Sequence, residues 1–369
     1  MENSQYLFTI YSIFFVSIVL FNLLINTILI KFSTNLGIRE KDNNPVLRWS
    51  SVSKPAMGGI SFYMSFLIST ACFSIFFHEQ SIFNDYQAVA LIFATSLAFL
   101  MGLADDAYNT RPKLKLIIQI ICGVIIIIPD IYIPKTEYST IINLFEYDYL
   151  NYIITILWII GIMNSINMLD NMDGITSITS LFIILIIIAY ITLNVDLSNF
   201  FLLVLIGVCA SIVAFLFYNW NPSKMFMGDS GSQMLGLFIG AISVKYLWNS
   251  ESISGEIIES KQIVIVLLAF ILPIIDTTSV VINRLSRKQS PFVGGKDHTT
   301  HHLSYLGFSD SQVTFIYLGI SALSFIMCIA LFKFVEQWSV LLSIMFFIYF
   351  IVVFAILFSI TQKNKDKRT

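Results

Sequence analysis

The sequence contains few charged residues. Asp, Glu, Lys and Arg together make up 12% of its 369 residues, whereas soluble domains carry about 25%. Hydrophobic residues account for 57%, with 33 phenylalanines among them. Apolar runs of about 20 residues, the length that a helix needs to cross a bilayer, recur along the whole chain. A soluble globular protein is thereby excluded, and the composition predicts an all-α, polytopic integral membrane protein.

Cysteine is also scarce. The four cysteines lie far apart, each within an apolar run, at positions 72, 122, 209 and 328. This arrangement argues against a disulfide or a thiolate metal site and indicates small hydrophobic packing residues. The first apolar run, 6–30, is too long for a signal-peptide core and lacks a basic start and a small-residue cleavage site. It is therefore interpreted as the first membrane helix.

The apolar runs predict eleven transmembrane helices, and an odd number places the two termini on opposite sides. The predicted segments are 6–30, 58–77, 87–104, 114–133, 149–168, 174–194, 199–218, 231–248, 262–282, 311–333 and 338–361.

Lysine and arginine predict the orientation. Seventeen of the 21 basic residues fall on one side of the predicted bilayer, and only Lys135, Lys245, Lys261 and Lys333 fall on the other. Because cytoplasmic loops carry the excess of Lys and Arg, the N-terminus is predicted outside and the C-terminus in the cytoplasm. No linker or repeat is visible, so the chain 1–369 is interpreted as a single membrane-embedded domain.

Every unusual polar stretch falls on the side predicted to be cytoplasmic. The alternative, that cytoplasmic loops are simply polar, explains the basic residues but not why carboxylates and glycines gather at helix ends. We therefore expect the stretches to form a shared site. The five stretches are 53–59, 102–106, 164–174, 219–232 and 297–302.

Asp105 and Asp106 end the third predicted helix. Adjacent helical residues point about 100° apart, so we expect one carboxylate to face the site while the other caps a helix or pairs with a cation. A pair of carboxylates suits either a base or a group that senses a cation. The alternative is a solvated acidic pair at the membrane edge, paired with Arg111.

The stretch 228–232, Gly-Asp-Ser-Gly-Ser, falls where the eighth predicted helix begins. Backbone N–H groups and the positive end of the helix dipole favour a phosphate there. Asp229 offers a ligand for Mg²⁺, which proteins bind through one or two carboxylates together with substrate phosphates. The alternative is an Asp or Ser that only caps the helix.

Two amides, Asn164 and Asn167, and two carboxylates, Asp170 and Asp173, follow an apolar run at intervals of three. Each step of three lags an ideal helix by about 60°, so an unbroken helix would point the first and last of them in opposite directions. We therefore expect the helix to unwind near 167–170, which would let the four converge. The alternative, helix caps around a tight turn, explains Asp173 and Gly174 but neither asparagine.

Three histidines lie in the long predicted loop 283–310. A zinc site is disfavoured because the loops lack thiolate ligands, and imidazoles near Lys296 and Arg284 favour contact with phosphates instead. Asp276 is a further candidate, since an acid within a membrane helix marks either a functional site or a specific packing partner. The histidines are His298, His301 and His302.

Taken together, these stretches resemble the polyprenyl-phosphate N-acetylhexosamine-1-phosphate transferases. That family includes the phospho-N-acetylmuramoyl-pentapeptide transferase of peptidoglycan synthesis. It also includes the GlcNAc-1-phosphate transferases that begin O-antigen, enterobacterial common antigen and teichoic acid synthesis. The resemblance spans about residues 45–310 and consists of five motifs in the family's order. They are Pro55-x-x-Gly58-Gly59, Gly102-x-x-Asp105-Asp106 with Pro112-Lys113-x-Lys115, Asn164-x-x-Asn167-x-x-Asp170-x-x-Asp173-Gly174, Phe226-Met227-Gly228-Asp229-Ser230-Gly231-Ser232, and the histidine motif.

The resemblance implies an enzyme that transfers an N-acetylhexosamine 1-phosphate, GlcNAc 1-phosphate in the most similar branch, from a UDP-sugar to undecaprenyl phosphate and releases UMP. It implies the bacterial cytoplasmic membrane as the location, with the active site facing the cytoplasm. It also implies Mg²⁺ as the cofactor, with Mn²⁺ as a substitute, and a homodimer as an assembly known in the family. No nucleic acid partner is expected.

The resemblance also implies roles for individual residues. Asp105 and Asp106 match the catalytic pair proposed to meet the lipid phosphate, Asp229 matches the main Mg²⁺ ligand, and Asn167 matches a second ligand. The positions matched to substrate binding are Lys54, Lys113 and Lys115 near phosphates, Asn219, Phe226 and Asp173 near uridine, Asn164 and Asp170 in their motif, and His298, His301 and His302 near the pyrophosphate and sugar.

The histidine motif departs from one branch of the family. It reads His298-Thr299-Thr300-His301-His302, closer to the His-x-His-His of the GlcNAc-1-phosphate branch than to the three consecutive histidines of the peptidoglycan enzyme. The muramoyl-pentapeptide transferase nevertheless stays as the alternative enzyme. A secondary transporter is the alternative from another class, although transporters place their acids near the bilayer midplane and contain repeats. For the mechanism, direct attack by the lipid phosphate is favoured over a route through an aspartyl-phosphate.

Overall fold

The computed structural model describes residues 2–35, 54–77, 80–132, 139–253, 255–290 and 295–363. Within these ranges the chain is helical, and its only β-structure is two isolated bridges. The α-helices are α1 (Glu2–Asn35), α2 (Gly58–Phe76), α3 (Tyr86–Tyr108), α4 (Pro112–Tyr132), α5 (Asp148–Leu169), α6 (Ile175–Asn194), α7 (Phe200–Asn219), α8 (Gly228–Ser243), α9 (Glu259–Ala269), α10 (Ile271–Ser286), α11 (Thr299–Tyr305), α12 (Asp310–Lys333) and α13 (Val340–Lys363). Basic residues used for the predicted orientation that lie outside the described ranges are Arg39, Lys41, Arg48, Lys135, Lys365, Lys367 and Arg368.

The all-α, multi-pass architecture is confirmed. Among the described residues, nine helices are long and apolar enough to cross a bilayer, and the bent pair α9–α10 brings the number to ten if it counts as one span. The predicted eighth segment consists of α8, which has 16 residues, and a π-helical turn that follows it directly (Val244–Trp248). The count of eleven spans and the orientation of the termini stay predictions.

The predicted ninth helix is broken. Helices α9 and α10 meet at an angle of 78° on either side of Phe270. Pro273 lies in the first turn of α10 and has no N–H to donate to the carbonyl of Ala269, where α9 ends. Hydropathy alone does not detect this break, because both halves are apolar.

Helix α8 lies at the centre of the bundle. All of its residues from Ser230 to Ser243 are buried, and α2, α3, α5 and α6 pack around it. By contrast, only Leu357 and Thr361 of α13 are buried, and many of its large apolar side chains are exposed, as expected of a helix that faces lipid. The centre of the fold is therefore the helix that carries Asp229.

Two motif glycines let neighbouring helices approach the start of α8. A Cβ on Gly59 of α2 would lie 2.2 Å from the backbone nitrogen of Gly231, and a Cβ on Gly102 of α3 would lie 2.3 Å from the carbonyl oxygen of Asp229. Any side chain at either position would push the helices apart. These glycines thus allow backbone-to-backbone contact at the end of α8 where the polar stretches meet.

Candidate active site

Hydrogen bonds link the five polar stretches around the start of α8. The loop before α2 pairs with the loop before α8, where Phe226 N–H donates to the Pro55 carbonyl at 2.9 Å and Gly58 N–H donates to the Phe226 carbonyl at 3.1 Å. On the other side, the hydroxyl of Thr300 in the histidine stretch donates to Asn171 Oδ1 at 2.7 Å. Stretches that are distant in sequence therefore meet at one end of the bundle.

Asp106 caps α8. One of its carboxylate oxygens accepts a hydrogen bond from Asp229 N–H at 2.8 Å and the other accepts one from Ser230 N–H at 2.9 Å. Gly228 lies against this carboxylate with φ at +77°, and a Cβ there would be 2.8 Å from Asp106 Oδ2. The sequence led us to expect a phosphate at this helix start. In the structure the anion at the positive end of the helix dipole is Asp106 itself.

Asp105 points elsewhere, towards Lys115. Its side chain is buried, accepts hydrogen bonds from the backbone N–H and the hydroxyl of Thr110 at 2.7 and 2.6 Å, and forms an ion pair with the Lys115 ammonium. The same ammonium lies 3.3 Å from Asp229 Oδ2. One cation from α4 thus bridges carboxylates from α3 and α8, and the partner of Asp105 is Lys115 rather than Arg111.

Asn167 brings α5 to the same carboxylate. Its Nδ2 donates to Asp229 Oδ1 at 2.5 Å and to the hydroxyl oxygen of Ser232 at 2.8 Å. Helix α5 continues to Leu169, so the irregular backbone begins at Asp170, later than the predicted unwinding at 167–170. No unwinding is needed at Asn167. Because α5 packs directly on α8, the Asn167 side chain reaches Asp229 from an intact helix.

Asn164 lies one turn deeper in the bundle and does not join this cluster. Its Nδ2 donates to Gln119 Oε1 at 3.0 Å and to the Ile160 carbonyl at 2.8 Å. The structure therefore places it against α4, one turn below the cluster, and its predicted contact with substrate stays a prediction.

Asp173 and Lys54 hold the loop between α7 and α8. The carboxylate of Asp173 accepts hydrogen bonds from the backbone N–H and hydroxyl of Ser223 at 2.9 and 2.7 Å, and lies 3.6 Å from the Lys54 ammonium. That ammonium also donates to the Ser223 hydroxyl and lies 5.1 Å from the centre of the Phe226 ring. The partly exposed Phe226 ring and the Lys54 ammonium thus form one wall of the loop.

Asn219 supports this loop from beneath. It is only 3% exposed. Its Oδ1 accepts hydrogen bonds from Gly174 N–H and the Ser177 hydroxyl, both at 3.0 Å, and its Nδ2 donates to the Met225 carbonyl at 3.1 Å. In this conformation the amide braces the two loops, and its predicted contact with uridine stays a prediction.

Asp170 lies in the turn between α5 and α6. Burial first, and then the charge of Asp229, raises the pKa of Asp170 to about 7. The protonated form of this carboxyl is therefore favoured more than in an ordinary aspartate. A nearby cation would favour its ionised form, so this residue is positioned to respond to charge at the cluster.

The histidine stretch is anchored on α10 by Asp276. One carboxylate oxygen of Asp276 lies 2.7 Å from His298 Nδ1, and the other accepts the N–H and hydroxyl of Thr299 at 2.8 and 2.6 Å. The Thr299 hydroxyl is also 2.6 Å from the Tyr317 hydroxyl. Asp276 therefore orients the first histidine and the start of α11, which explains the acid within this segment.

Arg284 is held by Asp297. Its Nη2 and Nε donate to the two oxygens of that carboxylate at 2.6 and 3.0 Å, and Arg287 adds a further hydrogen bond at 2.7 Å. Burial alone would raise the pKa of Asp297, but the hydrogen bonds and charge of Arg284 outweigh it and lower the pKa to about 2. The pair ties Asp297, just before α11, to the end of α10.

His301 is buried within α11. Its ring centre lies 5.4 Å from that of His298, and burial, followed by the charge of His298, lowers the pKa of His301 to about 3. At neutral pH this imidazole can donate a hydrogen bond to a phosphate but supplies no positive charge. His302 is also buried, with its ring centre 5.5 Å from that of Tyr305.

Among the predicted basic residues, Lys113 stands apart. It is exposed near the start of α4, two residues from Lys115. Two helical steps rotate by about 200°, so the two ammonium groups leave opposite faces of α4. Its predicted contact with phosphate stays a prediction.

The part of the chain that forms this cluster is similar to a known protein family. The sequence profile of glycosyl transferase family 4 matches residues 88–247, the segment that carries Asp105, Lys115, Asn167 and Asp229. Over this segment, which is less than half of its length, the chain is similar to glycosyl transferase family 4. It is a membrane-embedded phosphosugar transferase, and the transporter hypothesis is set aside.

Several relatives extend over most of this transferase. It is 28% identical over 297 residues to a probable undecaprenyl-phosphate N-acetylglucosaminyl 1-phosphate transferase of Bacillus subtilis, covering 80% of this chain and 78% of the relative. It is 27% identical over 310 residues to a phospho-N-acetylmuramoyl-pentapeptide-transferase of Campylobacter jejuni, covering 76% and 81%. A shorter match, 32% over 130 residues, is to a decaprenyl-phosphate N-acetylglucosaminephosphotransferase of Mycolicibacterium smegmatis, covering 33% and 30%.

The donor groups of this transferase suit a hard cation. Beside the Asp105 carboxylate, Asp229 offers carboxylate oxygens and Asn167, once its amide rotates, a carbonyl oxygen, the ligand types that Mg²⁺ prefers. The Lys115 ammonium already lies between the two carboxylates, so the arrangement accommodates positive charge there. Among the described residues no three acidic, histidine or cysteine side chains gather closely enough to hold a metal ion by themselves.

Several supporting residues of the transferase were missed by the sequence reasoning. They are ordinary polar residues whose importance depends on where a distant helix lies. Asn171, Ser223 and Ser232 fall within stretches that the sequence analysis singled out, although no role was assigned to them, and Thr110 follows Asp105 just after the end of α3. The missed residues are Thr110, Gln119, Asn171, Ser223, Ser232 and Gln233.

Proposed function

We propose that this protein transfers N-acetylglucosamine 1-phosphate from UDP-N-acetylglucosamine to undecaprenyl phosphate and releases UMP. The observation that carries the proposal is the cluster of Asp105, Lys115, Asn167 and Asp229, which four helices bring to one end of the bundle. Charge neutralisation and positioning are what a reaction between two phosphate-bearing substrates demands. The name of the Bacillus subtilis relative supplies the lipid and the sugar.

The proposal includes the cellular setting. The enzyme acts as a single membrane-embedded domain in a bacterial cytoplasmic membrane, with the cluster facing the cytoplasm, where UDP-sugars are made. Its product is the first lipid-linked intermediate of a cell-envelope polysaccharide. The excess of Lys and Arg on the loops around the cluster supports this orientation.

Mg²⁺ is the proposed cofactor, with Mn²⁺ as a substitute. Asp229 and Asn167 would hold the ion, and it would supply neutralisation of the diphosphate charge. Asn167 now donates its Nδ2 to Asp229, so coordination through its oxygen requires a rotation of the amide. Lys115 would keep a second positive charge beside the same carboxylate.

In the proposed reaction an oxygen of the lipid phosphate attacks the β-phosphorus of the UDP-sugar. The new P–O bond forms as the bond between this phosphorus and the bridging oxygen breaks, and the electron pair leaves with UMP. A phosphate monoester has a second pKa of about 6, so the lipid phosphate is largely a dianion at neutral pH and needs no base.

The geometry of the acidic pair supports direct attack over a route through an aspartyl-phosphate. Both oxygens of Asp106 accept backbone N–H groups of α8, and Asp105 is held by Lys115 and Thr110. Either carboxylate would have to abandon these partners to act as a nucleophile. We assign Asp106 to fixing the start of α8, and Asp105 to orienting Lys115.

The proposed substrate contacts divide between two walls. Lys54, Phe226 and Asp173 line the wall formed by the loop between α7 and α8, where the uridine would bind. On the opposite side, His298 is oriented by Asp276, and His301 is a neutral hydrogen-bond donor for the sugar or its phosphates.

Phospho-N-acetylmuramoyl-pentapeptide transfer is the second candidate. The observation in its favour is the Campylobacter jejuni relative of that name, which matches 76% of this chain. The His298-Thr299-Thr300-His301-His302 motif favours the first candidate instead.

Purified protein incubated with undecaprenyl phosphate, Mg²⁺ and either UDP-N-acetylglucosamine or UDP-N-acetylmuramoyl-pentapeptide separates the two. We expect a lipid-linked sugar, detected by mass spectrometry, with the first donor only. The Asp229→Ala variant should form none, whereas Asp148→Ala, an exposed acid in the first turn of α5, should match the wild type. Product from the pentapeptide donor alone would overturn the choice of sugar.

A further inference from the structure

A second polar cluster lies inside the bundle, directly beneath the first. Gln119 Nε2 donates to Gln233 Oε1 at 3.0 Å and to Asn164 Oδ1 at 3.3 Å, while Asn164 Nδ2 donates back to Gln119 Oε1 at 3.0 Å. Gln119 and Gln233 are each 1% exposed. We call these three residues the amide trio. Polar groups in a membrane interior are costly unless satisfied, so three of them in mutual contact require a reason.

The reason lies in their spacing from the site. Gln119 follows Lys115 by four residues on α4, and Gln233 follows Asp229 by four on α8. Asn164 precedes Asn167 by three on α5. Residues three or four apart lie on the same face of a helix, one turn from each other. Each member of the amide trio therefore lies one turn below a member of the Lys115, Asn167 and Asp229 cluster, on the same helix and the same face.

The packing beneath the amide trio leaves little freedom. A Cβ on Gly236 of α8 would lie 2.6 Å from the Cα of Met163 on α5, so the two backbones are in contact one turn below the trio. A hydrogen-bonded polar network of this kind fixes helices in one relative position more strictly than apolar contacts, which tolerate sliding. A shift along α4, α5 or α8 would break the trio and move a catalytic side chain by the same amount.

We propose that Gln119, Asn164 and Gln233 are positioning residues. Their hydrogen bonds set the relative positions of α4, α5 and α8 and thereby place Lys115, Asn167 and Asp229 for phosphosugar transfer. The proposal assigns Asn164 to positioning instead of the substrate contact expected from its motif. It rests on the proposed function, since its test is made in the transfer reaction.

The test compares single variants with a complete replacement of the trio. Gln119→Leu leaves the buried Gln233 amide and the partly buried Asn164 amide without this partner, so both thermal stability and kcat should fall. Gln233→Met, a side chain of similar length, should also lower kcat. Displacing reacting groups by about 1 Å can cost on the order of a hundredfold, and we expect a loss of at least about tenfold. The KM for the UDP-sugar should stay within about twofold, because the uridine wall is untouched.

The triple variant Gln119→Leu, Asn164→Leu, Gln233→Leu removes all three polar groups together. Replacing every partner of a buried hydrogen-bond network with apolar groups is close to neutral for stability, so its melting temperature should return towards that of the wild type. If the trio positions the helices, kcat should nevertheless stay low. Recovery of kcat together with stability would show a purely structural role and overturn the proposal.

A matched control is available on two of the same helices. The Ser243 hydroxyl on α8 accepts a hydrogen bond from Trp158 Nε1 on α5 at 3.1 Å, far from the cluster. Ser243→Ala should alter stability slightly and leave kcat unchanged. If the wild type is active and the Gln119→Leu and Gln233→Met variants keep its full kcat, the positioning role is refuted and the proposed function is not. A wild type that is inactive with every donor would refute the proposed function instead.

Discussion

Replacing Asp106 with alanine tests whether this acid fixes a helix or takes part in the chemistry. The substitution removes two hydrogen bonds from α8 backbone N–H groups to a carboxylate. Bonds to a charged group contribute about 1.5–3 kcal/mol each, and Asp106 is partly exposed, so the lower end applies. We expect the free energy of unfolding to fall by about 3 kcal/mol. Asp106→Asn keeps one acceptor and should lose about half as much.

Asp85 provides a matched cap at the other end of α3. Its Oδ1 accepts hydrogen bonds from Gln87 N–H and Ala88 N–H, both at 3.0 Å. Thermal unfolding in detergent should show a lower melting temperature for both Asp106→Ala and Asp85→Ala. Only Asp106→Ala should lower kcat, because the start of α8 carries Asp229. An Asp106→Ala variant that unfolds like the wild type but has no activity would refute the capping role and indicate a direct chemical role.

Three further predictions concern single positions. Gly102→Ala should lower kcat by about tenfold or more, since a 1 Å displacement costs up to about a hundredfold, while Gly161→Ala, with no atom within 4 Å, should not. Lys115→Met should lower kcat by about a hundredfold, the typical effect of losing one charge-stabilising donor, and the exposed Arg111→Met should leave it unchanged. The pKa of Asp170 is about 7 in the folded protein and about 4 in an unfolded chain. The protonated carboxyl therefore stabilises the fold at low pH, and the free energy of unfolding should fall as the pH rises from about 4 to 7. Asp170→Asn should flatten that decline in melting temperature against pH. Equal kcat for Gly102→Ala and Gly161→Ala, or for Lys115→Met and Arg111→Met, would contradict the role given to Gly102 or to Lys115. A melting temperature that depends on pH in the same way in Asp170→Asn and in the wild type would contradict the role given to Asp170.

The sequence predicted the helices well because a bilayer imposes a length and a composition on every segment that crosses it. The break between α9 and α10 was not predicted, because hydropathy measures the share of apolar residues and is insensitive to a single proline. Pro273 was visible, and its missing N–H is a local cause that a closer reading of the segment would have found.

The sequence indicated which polar stretches form the candidate site, but not how their side chains are arranged. Adjacent carboxylates were expected to diverge, yet which of Asp105 and Asp106 faced the cluster depended on the contact between α3 and α8 at Gly102. The same contact brings the Asp106 carboxylate to the start of α8, and the phosphate expected there stays a prediction. Asn164 and Asn167 looked equivalent in sequence, and only the packing of α5 on α8 separated them.

The most direct test of the account is the exchange of radiolabelled UMP into UDP-N-acetylglucosamine by the purified protein. Mg²⁺ and undecaprenyl phosphate are each supplied or omitted. The account predicts label in UDP-N-acetylglucosamine only when both are present, and none with Asp229→Ala. Exchange without the lipid would show a phosphorylated enzyme and contradict direct attack. No exchange with this donor under any condition would contradict the proposed reaction itself.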